Sequence, residues 1–182
     1  MLDKLREDVR EAVTGATPEN DLRARLHADH DEIARLLGQL GSTTDADIAE
    51  RTDVRAQIHA ALTAHARAEE EVVYRRVEAR SEMRSDTDHA FGEHGKIDAA
   101  LASLMGTDPA DPEFADAVAE LKRIVTHHVH DEENELLPKA EQLLGRETLA
   151  ALIPAFNDRK RTLMAQATSD QRVNARVSGE DV

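Results

Sequence analysis

Two stretches of this chain carry the same metal-competent side chains in the same order. The first is Asp29-His30, followed by apolar Ile33, Leu37 and Leu40, and then His65-x-x-x-Glu69 with Glu70 after it. The second is Glu93-His94, followed by Ile97, Leu101 and Leu104, and then His128-x-x-x-Glu132 with Glu133 after it. The lone histidine precedes its His/Glu partner by 35 positions in one copy and by 34 in the other. The run-in repeats as well, with Ile58, Leu62 and Thr63 matching Leu121, Val125 and Thr126. Each copy offers two imidazoles and one carboxylate. Nitrogen and oxygen donors of this kind suit iron, manganese or zinc. A carboxylate can also bridge two ions, so the doubled set suits a pair of irons.

The spacing has a geometric meaning. On a helix, residues four apart lie about 40° apart around the axis, so His65 and Glu69 face one way, as do His128 and Glu132. His30 and His94 each have apolar residues three, seven and ten positions later, which places them on buried stripes. A single His-x-x-x-Glu is as easily a surface ion pair. Four inward imidazoles beside two carboxylates would be costly to bury without a cation. No glutamate stands three residues before any histidine, and His-Glu-x-x-His is missing. Ferritin-type bundles and hydrolytic zinc sites are therefore disfavoured.

The elements that must position these residues are helices, because apolar positions recur at helical period and strand signals are nearly absent. A short leading helix is expected over residues 3–14. A second runs from Leu22 to a stop at Gly41, followed by a loop and N-cap at residues 42–45. A third carries Ile48 to Val77. A fourth, capped by Asp86, ends at Gly106. After the Pro109 to Pro112 linker, Asp111 and Pro112 are suited to start a helix reaching Gly145, with Pro138 kinking its end. A further helical piece spans roughly residues 147–166, interrupted by Pro154. The expected fold is all-α, an up-down-up-down four-helix bundle with short extra helices at both termini. Residues 1–167 form one domain with its motif core at 20–145, and 168–182 form a flexible polar tail.

Composition sets outer bounds. The 182 residues suffice for one domain with a real core. A net charge of −14 argues against nucleic-acid binding, which rests on neutralising phosphates with Lys and Arg. There is no cysteine, hence no disulfide and no thiolate site. No apolar run is long enough for a membrane span, and the acidic N-terminus is unlike a targeting segment. A cytoplasmic location is the expectation. Tyr74, Phe91, Phe114 and Phe156 are the only aromatics, so the core must be aliphatic.

The segments Ala28-Asp-His-Asp-Glu-Ile, His65-Ala-Arg-Ala-Glu-Glu, Gly92-Glu-His-Gly-Lys-Ile and His128-Val-His-Asp-Glu-Glu together resemble the hemerythrin-like, or HHE cation-binding, domains. The resemblance covers roughly residues 20–145. It implies a four-helix bundle around a non-haem di-iron centre, oxo- or hydroxo-bridged. In that assignment His30 and His65 serve one iron, His94 and His128 the other, and Glu69 and Glu132 bridge them. Oxygen-carrying members have a further histidine four residues before the helix-three ligand, where this chain has Ala90. His89 stands beside it, but about 140° around from His94. Those carriers take their last carboxylate from the position of Glu133, whereas Glu132 repeats the geometry of Glu69. Fewer protein ligands imply open metal positions.

The resemblance thus implies a protein that binds or reacts with dioxygen, peroxide or nitric oxide. Catalase-like peroxide decomposition and a metal-dependent iron-handling or regulatory module are the alternatives, and enzymatic activity is left open. The expected partner is a small diatomic or peroxide ligand, on a monomer or weak homo-oligomer that engages neither nucleic acid nor membrane. The remaining histidines draw blander expectations. His27 belongs to the helix surface, with a supporting place behind the ligands as its alternative, His59 to solvent, His127 and His130 to other faces, and Tyr74 to packing.

Overall fold

The computed structural model describes residue 17 and residues 19–179. The leading helix expected at 3–14 lies outside them. Among the described residues the ordered elements are all helical. Helix α1 spans Leu22–Gly41. Helix α2 starts as Ile48–Ala68, passes through a π-helical stretch at Glu69–Tyr74 and ends in Arg75–Val77. A short 3₁₀ turn, Ser81–Met83, leads into α3, Arg84–Gly106. Helix α4 starts as Phe114–Asp131, passes through a second π-helical stretch at Glu132–Leu136 and closes with Leu137–Leu144. The short α5, Arg146–Ala150, and the long α6, Ile153–Gly179, complete the helices of the described residues.

Local chemistry explains the boundaries. Asp21 caps α1, its Oδ1 accepting from the backbone N–H of Arg23 and Ala24 at 2.9 and 3.2 Å. These donors have no partner inside the helix, so the cap satisfies them. Residues 42–45 form the expected loop, but they do not cap α2. The Ser42 and Thr43 hydroxyls instead donate back to the Gln39 and Leu40 carbonyls of α1. Helix α3 starts two residues before Asp86, which ion-pairs with Lys139 across to α4. Helix α4 begins at Phe114, two residues later than Asp111 and Pro112 suggest. Its end is set by Gly145, whose φ of 82° is rarely open to other residues. The helical piece expected over 147–166 is broken at residues 151–152, and Pro154 lies just after the break in the first turn of α6, where a missing N–H costs nothing.

The helices form a bundle held by rungs of contacts between neighbours. Arg23 meets Glu141 and His30 meets Glu133 between α1 and α4. Gln39 meets Glu50 and His30 meets His65 between α1 and α2. Arg67 meets Asp98 between α2 and α3, and His94 meets His128 between α3 and α4. Helix α6 packs along α2. The buried apolar residues fall into two groups. One gathers Leu22, Leu26, Tyr74, Met83, Leu137 and Phe156 near the α5–α6 end. The other gathers Ile33, Leu37, Ile58, Leu104, Phe114 and Leu121 toward the opposite end. Fully burying each of these large side chains contributes about 1.5–3 kcal/mol. Between the two apolar layers lies the polar centre. Among the described residues no helix is long and apolar enough to cross a membrane.

Candidate metal centre

All six residues singled out by spacing converge between the two apolar layers. His30, His65, Glu69, His94, His128 and Glu132 are each at most 4% exposed. The Nε2 atoms of His30 and His65 approach to 3.0 Å, and those of His94 and His128 to 3.1 Å. Glu69 lies between the two histidine pairs, with Oε1 at 3.1 Å from His65 Nε2 and Oε2 at 3.5 Å from His94 Nε2. Glu132 Oε2 stands 3.3 Å from His30 Nε2. The donors therefore form two groups that could each hold a metal ion. One is His30, His65, Glu69 and Glu132; the other is Glu69, His94 and His128.

The outer nitrogens tell which way the rings are wired. His65 Nδ1 faces Asp29 at 3.3 Å and His128 Nδ1 faces Glu93 at 3.2 Å. His30 Nδ1 faces Glu133 at 2.7 Å and His94 Nδ1 faces Glu70 at 3.0 Å. An ionised carboxylate can only accept, so each Nδ1 carries the proton it donates. In the neutral ring that leaves a bare lone pair on every Nε2. Four such lone pairs point at one another and at carboxylate oxygens. Both Glu69 oxygens and Glu132 Oε2 are buried and lack a hydrogen-bond donor. Lone pair facing lone pair in a dry interior is repulsive unless a cation sits among them. The donor set fits a divalent or trivalent metal, and carboxylate-held imidazoles are the usual outer support of such ligands.

Electrostatics agree. Burial alone would depress the basicity of His30, yet the Glu132 and Glu133 carboxylates overcome it and raise its pKa to about 10. Against the same opposition, Glu69 and Glu70 raise His94 to about 9. Burial opposes ionisation of Glu69, but His65 and His94 hold its carboxyl well below the usual range. The pocket demands positive charge.

The two π-helical stretches begin at Glu69 and Glu132, the same place in each copy. Pro138 lacks the N–H that would reach Asn134 in an α-helix, which favours a bulge there. The α2 copy bulges with no proline, so proline is not its sole cause. Such bulges concentrate at functional sites. Here the bulge re-aims the side chains on its C-terminal side. Tyr74 is nine residues after His65, which on an uninterrupted α-helix is about 180° away. One inserted residue returns it by about 100° toward the site. The expectation of a mere packing role for Tyr74 is therefore corrected. Its hydroxyl donates to Glu132 Oε1 at 2.7 Å and stands 3.4 Å from His94 Nε2, with its ring stacked on His94. The equivalent residue of the other copy is Leu137, so the centre is asymmetric.

Among the remaining residues, His27 and His89 lie on the surface as expected, whereas His59 and helix α6 depart from the sequence expectation. Glu133 bonds His30 Nδ1 and is held by His27 at 2.8 Å, so His27 contacts the centre's outer layer from the surface. His59 is half-buried, with a buried Nδ1, not solvated. His89 stays outside, exposed, facing Glu93 and Asp131. Helix α6 contributes unforeseen pieces: Lys160 pairs with Asp29 at 2.6 Å, and Phe156 packs edge-on against His65. Nothing in the local spacing of the ligand motifs points to so distant a helix.

Residues 21–140 match the profile of the Hemerythrin HHE cation binding domain. The chain is also similar to a protein of Nostoc sp. (strain PCC 7120 / SAG 25.82 / UTEX 2576) named DNA nickase, at 29% identity over 173 residues. That alignment covers 94% of this chain and 47% of the relative, so the chain spans about half of the relative's length. No solved structure matches it.

Proposed function

This chain belongs to the hemerythrin HHE cation-binding domain family, and from that membership we propose a di-iron protein that binds or reacts with dioxygen, peroxide or nitric oxide. In this reading His30, His65, Glu69, His94, His128 and Glu132 are the iron ligands, carried on four helices in up-down-up-down order. The cross-helix pairs support that order, since residue numbers rise along one helix as they fall along its neighbour. The observation that carries the proposal is the unpartnered buried oxygens of Glu69 and Glu132 among inward Nε2 atoms.

Bound iron would supply the redox chemistry and open coordination positions. The protein supplies position, dryness and access. The His94 side offers three donors against four on the His30 side. A surface pocket of about 290 Å³ reaches inward on that poorer side, to His128 and Glu132. It is wide enough for a small ligand. The Tyr74 hydroxyl, buried beside His94 behind the pocket lining, holds a proton hydrogen-bonded to Glu132. Burial and the neighbouring Glu132 raise its pKa well above the ordinary tyrosine value, so it stays a donor. An accessible, donor-poor face beside a fixed hydroxyl also supports the alternative of catalase-like peroxide decomposition. The Nostoc relative's name raises DNA cleavage, but a net charge of −14 counts against a phosphate-binding surface.

The test is metal content and spectroscopy on purified protein. Two irons per chain are expected, with absorption bands that change on adding oxygen, peroxide or nitric oxide. One zinc per chain with no iron would overturn the di-iron reading.

A further inference from the structure

A second set of metal-competent side chains lies at the mouth of the pocket, outside the six inner residues. Helix α3 carries His89-x-x-x-Glu93 and helix α4 carries His127-x-x-x-Asp131, so each presents an imidazole and a carboxylate on one face. These are not two separate surface pairs. His89 Nε2 lies 3.5 Å from Glu93 Oε1 and 3.6 Å from Asp131 Oδ2. His127 Nδ1 lies 3.6 Å from that same Glu93 oxygen and 3.2 Å from that same Asp131 oxygen. Both rings thus converge on the same two oxygens, across two helices. Tetrahedral ligands about 2.0–2.2 Å from an ion stand roughly 3.3–3.6 Å apart. Three of the four distances fall in that range and the fourth is slightly shorter. His89, Glu93 and Asp131 bring their donor atoms together as one group that could hold an ion.

The internal repeat sets the two halves apart here. In the first copy the residue equivalent to Glu93 is Asp29. Asp29 is neutralised by two permanent cations, Arg25 at 2.8 Å and Lys160 at 2.6 Å. In the second copy His89 replaces that arginine, and no Lys or Arg among the described residues ion-pairs with Glu93 or Asp131. On α2 the equivalents of His127 and Asp131 are Ala64 and Ala68. One half carries fixed positive charge where the other carries two imidazoles and an extra carboxylate. Glu93 itself is only 5% exposed and uses its second oxygen to hold His128. A buried carboxylate with no fixed cation is the group most in need of an added one.

We propose that His89, Glu93 and Asp131, with His127 flanking the two carboxylates, form an additional site for a divalent first-row transition cation at the pocket mouth, distinct from the inner pair. Imidazole nitrogen with carboxylate oxygen favours a borderline ion such as zinc over calcium or magnesium. Glu93 links the two levels, one oxygen in the outer site and one on an inner ligand's ring.

Zinc is the probe. Full-length protein is dialysed against graded Zn²⁺, and bound metal per chain is measured for wild type, His89→Ala/His127→Ala and His130→Ala. The double variant should bind about one zinc fewer than wild type, and His130→Ala, an exposed histidine outside the cluster, should match wild type. Asp131→Asn is a second variant, expected to lose the same ion, should the double variant fold poorly. Equal binding by wild type and both site variants overturns the proposal, as does an equal loss in His130→Ala. The difference counts the outer ion whatever the inner centre holds, so failure of the di-iron reading would appear separately, in the metal content of both proteins alike.

Discussion

Tyr74→Phe removes one oxygen from the centre and little else, which makes its effect calculable. The hydroxyl is fully buried and donates to Glu132 Oε1 at 2.7 Å. The other oxygen of Glu132 faces His30 Nε2 at 3.3 Å and no other donor. Phenylalanine keeps the ring stacked on His94 but strips a buried carboxylate of its remaining hydroxyl donor. A hydrogen bond to a charged group is worth about 1.5–3 kcal/mol. For a chain of this size each kcal/mol moves the melting temperature by about 2–4 °C, so metal-free Tyr74→Phe should melt about 3–12 °C lower. Metal should shrink the loss, because a cation beside Glu132 compensates for the missing donor. The assay is thermal unfolding of chelated and metal-loaded protein, combined in a double-mutant cycle with Glu132→Gln. The two substitutions should couple by at least about 1 kcal/mol in the chelated state. Additive effects, or a variant as stable as wild type without metal, would refute the account of Tyr74 as the donor that holds Glu132.

Three further outcomes rest on the same geometry. His94→Ala should lose one bound iron while His89→Ala retains the inner pair, because His89 lies exposed outside the cluster; iron content and absorption of the two variants side by side decide it. Replacing Asp29 or Glu70 by alanine should weaken metal binding about 10–100-fold without removing a ligand, read by competition with a chelator. Metal affinity should keep climbing past neutrality, because protons held by His30 up to about pH 10 and by His94 up to about pH 9 must leave first. In metal-free protein those raised values stabilise the fold below the ordinary histidine pKa of about 6.5, and that contribution is lost as pH rises toward 9–10. Asp29 and Glu133, both lowered to about 2, stabilise it above the ordinary carboxylate range of about 4 and lose that contribution on acidification. Flat metal affinity above pH 7, measured by titration, would contradict the raised imidazoles.

The convergence of the six inner residues was legible because helices translate spacing into direction. Two ordered copies of His and His-x-x-x-Glu leave few ways to bury the apolar stripes without bringing the imidazoles together. What escaped was whatever depended on a broken period or on a partner distant in sequence. Tyr74 is assigned to the wrong face by an ideal helix, and only the inserted residue of the π stretch brings it in. The carboxylates on each Nδ1 sit next to ligands in sequence yet serve rings on other helices, Asp29 reaching His65 and Glu133 reaching His30. Adjacency in sequence suggested spare ligands or solvated charge; the packing of four helices makes them supports. Lys160 lies beyond any motif spacing.

The repeat explains why the two halves of the centre need not do the same work. The inner histidine and glutamate positions recur 64 residues later between α1 and α3 and 63 later between α2 and α4, and so do the carboxylates behind them. The differences fall on the residues around that set. Tyr74 has Leu137 as its counterpart, so the hydroxyl stands on one side alone. Arg25 and Lys160 fix the charge behind His65, whereas imidazoles surround the carboxylate behind His128. The pocket that reaches inward to His128 opens on the half with fewer inner donors. The difference in fixed charge is thus local to the carboxylates behind His65 and His128, and the outer-cluster zinc titration is the measurement that reads it.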